Sequence, residues 1–328
     1  MTIKRWQDTE ENMTLWDQWV ADSNNGTIFQ TLQFLTYHPT DRFINHHLCI
    51  YKRNKLFAVM PGAEVSEEGG PAFVSYPGAS YGGMVVSSDC RLEDAVRLVD
   101  TLVAYIRTAG FTRIELTLPP TPYYRTPNQT LDFALVHAGF QYRKRELTNI
   151  VSLNIPPDKV LQNLPEKTRA DIRQAIKTDI RIEWIDDPSD TLLSVMYGML
   201  QDNRSYLGLD FPPTHTLPEL SRIRDLNPGR LVLGVGYAEE IPVSTTLVFR
   251  CNRQSLLTFY ICHDRQARDG HPVHYLLYDL ICEGVRKQYR ILDFGISTVN
   301  MAPLNSLIRF KESFRARNFF RDTFELKV

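Results

Sequence analysis

One order of elements occurs twice in this chain, and that recurrence limits what it can fold into. In the first half, His46 to Tyr51 and Leu56 to Met60 read as strands around the turn Arg53-Asn54-Lys55. The glycine-bearing stretch Ser75 to Gly83 follows them. Next, Leu92, Val96, Val99, Leu102, Val103 and Ile106 mark an amphipathic helix, Gly110 ends it, and Arg113 to Leu118 reads as a strand stopped by Pro119-Pro120. In the second half, strands are expected at Arg230 to Tyr237, Pro242 to Arg250 and Ser255 to Cys262, then a loop from Asp264 to Gly270. Pro272 suits a first helical turn, Val273, Leu276, Leu277, Leu280, Ile281 and Val285 form the apolar stripe, and Ile291 to Phe294 is the closing strand. Ahead of the first copy, Leu15, Trp16, Trp19 and Val20 keep helical spacing.

A meander, a glycine loop, a helix and a returning strand, met twice, predict an α+β class with two tandem domains. Leu98, Leu102, Phe111 and Arg113-Ile114 answer Leu276, Leu280, Tyr289 and Arg290-Ile291 at similar spacing. The length of 328 residues suits two domains of about 150 residues each. The boundary is expected near Thr148 to Pro157, where Pro156-Pro157 interrupts the chain, giving domains 1–150 and 151–328.

Charge narrows the partners. Lys+Arg 37 against Asp+Glu 38 leaves a net charge of -1, which excludes a global positive field for DNA, so any polyanion must be met by a local patch. No apolar run approaches the roughly 18 residues of a spanning helix, and the N-terminus lacks an apolar signal core. A cytoplasmic protein without a transmembrane segment, with peripheral membrane contact still allowed, is the expectation. The odd, scattered Cys49, Cys90, Cys251, Cys262 and Cys282 read as buried thiols in a reducing compartment.

Several familiar sites are missing: there is no Gly-x-x-x-x-Gly-Lys-[Ser/Thr], no His-Glu-x-x-His and no Gly-x-Ser-x-Gly. Gly234-Val235-Gly236 runs into a second strand and reads as a strand feature rather than a dinucleotide cradle. His271 and His274 could share a metal, but His263, Asp264 and Asp269 offer no recognisable ligand spacing, so helix-end packing and no metal are expected. Arg169, Arg173 and Lys177 stack on one helical face, either solvated or facing a phosphate or partner. The loop ending at Gly270 leads into a helix N-terminus able to hold a pyrophosphate, whereas Asp89, Glu93 and Asp94 make the corresponding helix start in the first half hostile to one.

The order of elements resembles the GNAT N-acyltransferase fold, and its tandem form resembles the FemA/FemB/FemX group of peptidoglycan-bridge aminoacyltransferases. The residues that carry this are Phe29-Gln30-Thr31-Leu32-Gln33-Phe34, with Phe34 where the group has Trp, and Tyr81-Gly82-Gly83, with Gly83 where it has Pro. Gly139-Phe140 followed by Thr148 to Leu153, the helix Arg169 to Lys177, Leu292-Asp293-Phe294-Gly295 and Phe310-Lys311 follow in the group's order. The resemblance implies two GNAT-like domains, each a mixed, mostly antiparallel sheet flanked by helices, the first on the acceptor side and the second on the donor side, with the acceptor in a cleft between them. It implies transfer of an acyl or aminoacyl group to an amine of a cell-wall or envelope precursor, without a tightly bound cofactor, the donor being acyl-CoA or aminoacyl-tRNA. The alternatives are an acetyl-CoA-dependent N-acetyltransferase acting on an amino sugar or peptide, and a non-catalytic tandem binding module.

Such chemistry needs a neutral attacking amine, a donor to the developing oxyanion and a proton or cation for the leaving group. Lys311 is the candidate cation, the alternative being a surface lysine in a basic stretch, and its removal is expected to cost turnover without moving the melting temperature. Asp293 could orient or deprotonate the amine or cap a helix, and Tyr260 could line the acyl channel, donate a proton or simply belong to the core. Arg268, Gly270, His271 and Phe310 are the donor-binding candidates. Phe34, Tyr81, Gly82, Arg204 and Tyr206 are those for the acceptor.

Overall fold

The computed structural model describes residues 1–7, 10–206, 208 and 212–328, with side chains other than those of Glu10, Glu11, Arg268 and Asp269. It divides into one unit of Met1–Leu147 with Phe319–Val328 and a second of Thr148–Asn318.

Unit 1 contains β1 (Thr2–Arg5), α1 (Glu10–Asp22), α2 (Leu32–Leu35), β2 (Ile44–Asn45), β3 (Leu48–Lys52), β4 (Lys55–Met60), β5 (Ala63–Val65), β6 (Ala72–Ser75) and β7 (Val85–Val86). It continues through α3 (Leu92–Thr108), β8 (Arg113–Thr117), α4 (Thr130–His137) and the first part of β9 (Gln141–Ser152). Arg53 and Asn54, both with positive φ, close the β3–β4 hairpin where the turn was expected. One sheet runs β1-β3-β4-β7. In the other, β2, β5 and β6 are antiparallel neighbours, and β8 lies parallel to β6 because α3 carries the chain across. The last strand, β17 (Arg317–Lys327), pairs with β8 through Thr323 to Lys327. The stripe Leu98, Val99, Leu102 and Ile106 of α3 is fully buried against Leu48, Met60, Ile114 and Leu116, at about 1.5–3 kcal/mol per large side chain.

Unit 2 takes the end of β9, then α5 (Val160–Asn163), α6 (Glu166–Lys177), β10 (Ile180–Asp186), α7 (Asp190–Tyr206) and α8 (Leu217–Leu226). After these come β11 (Leu231–Ala238), β12 (Ile241–Asn252), β13 (Ser255–His263), α9 (Pro272–Arg286), β14 (Ile291–Ile296), β15 (Thr298–Val299), β16 (Ala302–Pro303) and α10 (Asn305–Glu312). Strands β10 to β13 form an antiparallel meander, β14 joins β13 in parallel, and residues 148–152 of β9 close the far side. The apolar stripe of α9 packs on Val232, Val248, Leu256 and Leu292 of this sheet. Helix α6 lies against α9, burying Ile172 and Ala175.

The expected loop between β13 and α9 is in fact a short 3-10 helix, Arg265–Gly270. Its start is capped locally: the Asp264 carboxylate accepts from Gln266 N–H at 2.9 Å, an Asx turn. Gly234 and Gly236 lie inside β11, and a Cβ on Gly234 would collide with the Trp184 ring, so close packing explains that glycine. Cys49, Cys251 and Cys262 are buried, but Cys90 and Cys282 are half-exposed. Burial pushes the Cys262 thiol up to about 12, which removes it as a nucleophile despite its neighbour His263.

Candidate active site

The two parallel strand pairs are where the repeats differ most. In unit 1, β6 and β8 stay paired to their ends, Ser75 opposite Leu116. Gly82 then sits in the fork beyond: its N–H donates to Thr117 O at 2.8 Å, its carbonyl accepts from the Gln30 side chain at 2.7 Å, and a Cβ there would lie 2.1 Å from Ser75 O. No side chain can be added without moving backbone.

In unit 2, β13 and β14 pair only from Ser255/Ile291 to Leu257/Asp293 and then part. Two irregularities force the divergence. Phe259 is an extra residue in β13, since Leu247 faces Tyr260 while Val248 faces Thr258. In β14 the register shifts between Asp293 and Ile296, with Gly295 at a φ of +75°. Beyond the fork β13 continues to His263, with β12 as its only strand neighbour among the described residues.

The bulge in β14 aims two carbonyls at Lys311. Its ammonium donates to Gly295 O at 2.8 Å and to Ile296 O at 2.9 Å, and the side chain is only 4% exposed. It is therefore not the surface lysine of the alternative reading. Burial pulls its pKa down from 10.5 to about 8, against an opposing pull from the Asp293 charge. An ammonium has three N–H donors, and among the described contacts the third has no protein partner. Asp293 is wholly buried; its Oδ1 accepts from the Thr148 hydroxyl at 2.5 Å and from Gly295 N–H at 2.7 Å, so it holds the bulge that holds Lys311 and caps no helix.

Tyr260, on the parted stretch of β13, is buried and its hydroxyl accepts from His215 N–H at 3.2 Å. Desolvation raises its pKa, with the His215 bond pulling the other way. Gly270 stands in open space, a Cβ there meeting nothing nearer than Thr178 Oγ1 at 3.9 Å. His271 caps α9 with a left-handed backbone, and the first turn of α9 carries no acidic residue. Phe310 is half-buried on α10, its ring centroid 5.4 Å from that of His274 and 5.5 Å from that of Phe314. The Arg268 side chain lies outside the described residues.

Of the acceptor candidates, Arg204 and Tyr206 end α7 beside the 265–270 turn. The Arg265 guanidinium stacks 3.8 Å over the Tyr206 ring, and both line a cavity of about 870 Å³ with Asn203, Pro242, His263 and Asp264. Asn203 is tied to β13, its side chain donating to His263 O at 2.8 Å and accepting from His263 N–H at 3.1 Å. Phe34 and Tyr81 are buried in unit 1, each in edge contact with Phe29, and the Arg321 guanidinium lies 5.6 Å from the Tyr81 ring. Sequence reasoning missed Arg265 and Asn203, which no local pattern marks, and also Asp171, whose carboxylate on α6 faces His271 and His274. Of the basic row on α6, Arg169 is tied to Gln162 O and Leu164 O, while Arg173 and Lys177 are exposed.

Solved structures share this fold. FemX superposes with a TM-score of 0.75 at 12% identity, covering 99% of this chain and 97% of that one. L-PGS from Bacillus licheniformis gives 0.61 at 12% identity, over 98% and 92%. A tandem GNAT protein from the clavulanic acid biosynthesis pathway gives 0.56 at 11% identity, over 99% and 98%. No protein-family model and no curated protein sequence matches the chain. Among the described residues no helix is long and apolar enough to cross a membrane. At these identities the likeness is one of architecture, and it bears out the expected class: the chain has the tandem GNAT fold.

Proposed function

We propose that the protein is an aminoacyltransferase or N-acyltransferase that delivers an activated carboxyl group to an amine of a cell-wall or envelope precursor, with the reaction in unit 2. The observation that carries this reading is the fork between β13 and β14, with a buried, still cationic Lys311 at its edge. A parting of parallel strands exposes backbone groups toward a ligand that a fully paired sheet hides. In the reaction the amine lone pair attacks the donor carbonyl carbon, negative charge gathers on its oxygen, and collapse breaks the bond to the ribose oxygen or thiol sulfur, which leaves with the proton given up by the attacking nitrogen. The free N–H of Lys311 supplies charge to the oxyanion or the leaving oxygen. The turn at 265–270 and the N-terminus of α9 receive the donor's phosphates, favoured by the helix dipole and by the absence of acidic residues in the first turn. Gly270, His271, Arg268 and Phe310 are the residues proposed on this side, while Tyr206, which lines the cavity, and Arg204 are proposed for the acceptor, and Tyr260 for the reaction itself. Phe34, Tyr81 and Gly82 contribute by shaping the acceptor unit's loop rather than by reaching out of it.

Aminoacyl-tRNA is the donor favoured by the FemA/FemB/FemX resemblance, with acetyl-CoA second. Transfer of labelled aminoacyl groups from charged tRNA, run beside transfer from labelled acetyl-CoA, to a panel of amine acceptors decides between them. Transfer from neither donor, with donor binding intact, would leave the non-catalytic binding module.

A further inference from the structure

Helices α6 and α9, far apart in sequence, bring together Asp171, His271 and His274 in unit 2. Asp171 Oδ1 lies 3.9 Å from His271 Nε2, and Asp171 Oδ2 lies 3.8 Å from His274 Nε2. One donor atom from each of the three residues lies within 4.8 Å of the other two. From this geometry we infer that the three side chains form a binding site for a divalent transition-metal ion, with Zn²⁺ the best match to the donor set.

Both separations exceed hydrogen-bond reach, so the carboxylate lies between two imidazoles without bonding either through these atoms. They are close to the edge of a tetrahedron: two metal bonds of 2.0–2.2 Å at the tetrahedral angle set donors about 3.4 Å apart. With one donor atom from each residue the separations are within 4.8 Å, so closing the site draws donors together by at most about 1.4 Å. His271 and His274 belong to one helical turn, and Asp171 is fixed on α6, whose Ile172 and Ala175 are buried and whose Thr168 hydroxyl donates to Ser313 O at 3.0 Å. Imidazole nitrogens with one carboxylate suit a borderline ion and not Mg²⁺ or Ca²⁺, which need oxygen ligands. All three residues are half-buried, which leaves a fourth position for water.

Two effects oppose a cation here and keep the site selective for a transition metal. The N-terminus of α9 is the positive end of its dipole, and the charge of Lys167, one turn before Asp171, acts on His274. Only an ion forming directional bonds to nitrogen overcomes both. Once bound, it ties α6 to the first turn of α9, and therefore to the 265–270 turn. The His274 ring also meets Phe310, the neighbour of Lys311. This site stands on its own geometry whether or not the transfer reaction is as proposed.

The test uses the untagged full chain after chelator treatment. Zn²⁺ titration by calorimetry should show one saturable site, and Co²⁺ should give visible bands of nitrogen and oxygen ligation together with a raised melting temperature. His274→Ala and the nearly isosteric Asp171→Asn should each weaken Zn²⁺ affinity by at least the about 10–100-fold that loss of a mere supporting residue costs. Thiolate charge-transfer bands with Co²⁺, or equal affinity in wild type and Asp171→Asn, would overturn the assignment.

Discussion

The two strand-helix-strand crossovers share one topology and are chemically unlike. In unit 1 the fork past Ser75 and Leu116 is filled by the backbone of Gly82, and α3 opens with Glu93 and Asp94, the latter paired to Lys52 at 2.6 Å. In unit 2 the strands part at Asp293, a bulge turns two carbonyls onto Lys311, and α9 opens without an acid. One fold can therefore hold an open crossover and a closed one in a single chain, and the difference rests on a few residues at each strand end. Changing those residues is how the contrast can be broken.

The largest effect should come from the closed fork. Gly82→Ala puts a methyl 2.1 Å from Ser75 O, backbone against backbone, and should destabilise by more than about 4 kcal/mol, the range reserved for gross clashes. Gly270→Ala, in open space, should stay within about 1 kcal/mol in the same thermal or urea melts. Equal losses in the two variants would mean that the forks are packed alike.

Next comes the lysine of the open fork. The fall of its pKa from 10.5 to about 8 corresponds to about 3 kcal/mol against the buried charge. Lys311→Met removes that cost but leaves two carbonyls without a donor, at about 1–3 kcal/mol each. The terms nearly offset, so the melting temperature should fall by a few degrees at most while kcat drops about 10²–10³-fold. Lys311→Ala also opens a cavity and should cost about 2–5 kcal/mol, so the expectation that this truncation leaves stability untouched fails on burial. The titration has a definite sign. Below about pH 8 the lysine is charged in both states and the burial cost is full; from there up to 10.5 the unfolded chain holds the extra proton, so this group's contribution to stability rises. Activity should run the other way, with kcat/KM falling above about pH 8 as the cation is lost; a profile that climbs through that range would make Lys311 a base instead.

How much of this was legible beforehand follows from the range of the forces involved. Periodicity located the α3 and α9 stripes and the β11 to β13 meander, because each is a local pattern of apolar residues read off one face. Lys311 and Asp293 were visible as types, but their burial depends on a bulge at Gly295 and on Thr148, neither marked by any local pattern. The same holds for the third ligand Asp171 and for the stacking of Arg265 on Tyr206, which join residues distant along the chain. Phe34 and Tyr81, read as contact residues, are core aromatics, since a local motif does not say which side of a ring meets solvent.

Charge at the open helix end gives a smaller effect. Gly270→Asp fits sterically and places a carboxylate beside the first turn of α9, imitating the acidic start of α3. At about 0.3–1 kcal/mol, or up to about 2 when partly buried, donor affinity should drop roughly 2- to 30-fold, and less at high salt. Unchanged donor affinity would show that the phosphates bind elsewhere, and the contrast between the two helix starts would lose its functional meaning.

The smallest expected effect probes the cavity at the end of β13 in unit 2. Arg265 and Tyr206 form an exposed cation–π pair, worth about 0.5–1 kcal/mol, so Arg265→Ala should raise KM for one substrate about 2- to 5-fold with kcat nearly constant. Which substrate responds is the informative part. A rise confined to the donor would place its phosphates against Arg265, whereas a rise confined to the acceptor would assign the cavity of about 870 Å³ to the amine. Tyr206→Phe keeps the ring and should leave both KM values unchanged, while Tyr206→Ala should reproduce the arginine variant, because the stacked guanidinium loses its support. A double variant no worse than either single one would show that the two side chains act as one unit, as the 3.8 Å stacking requires.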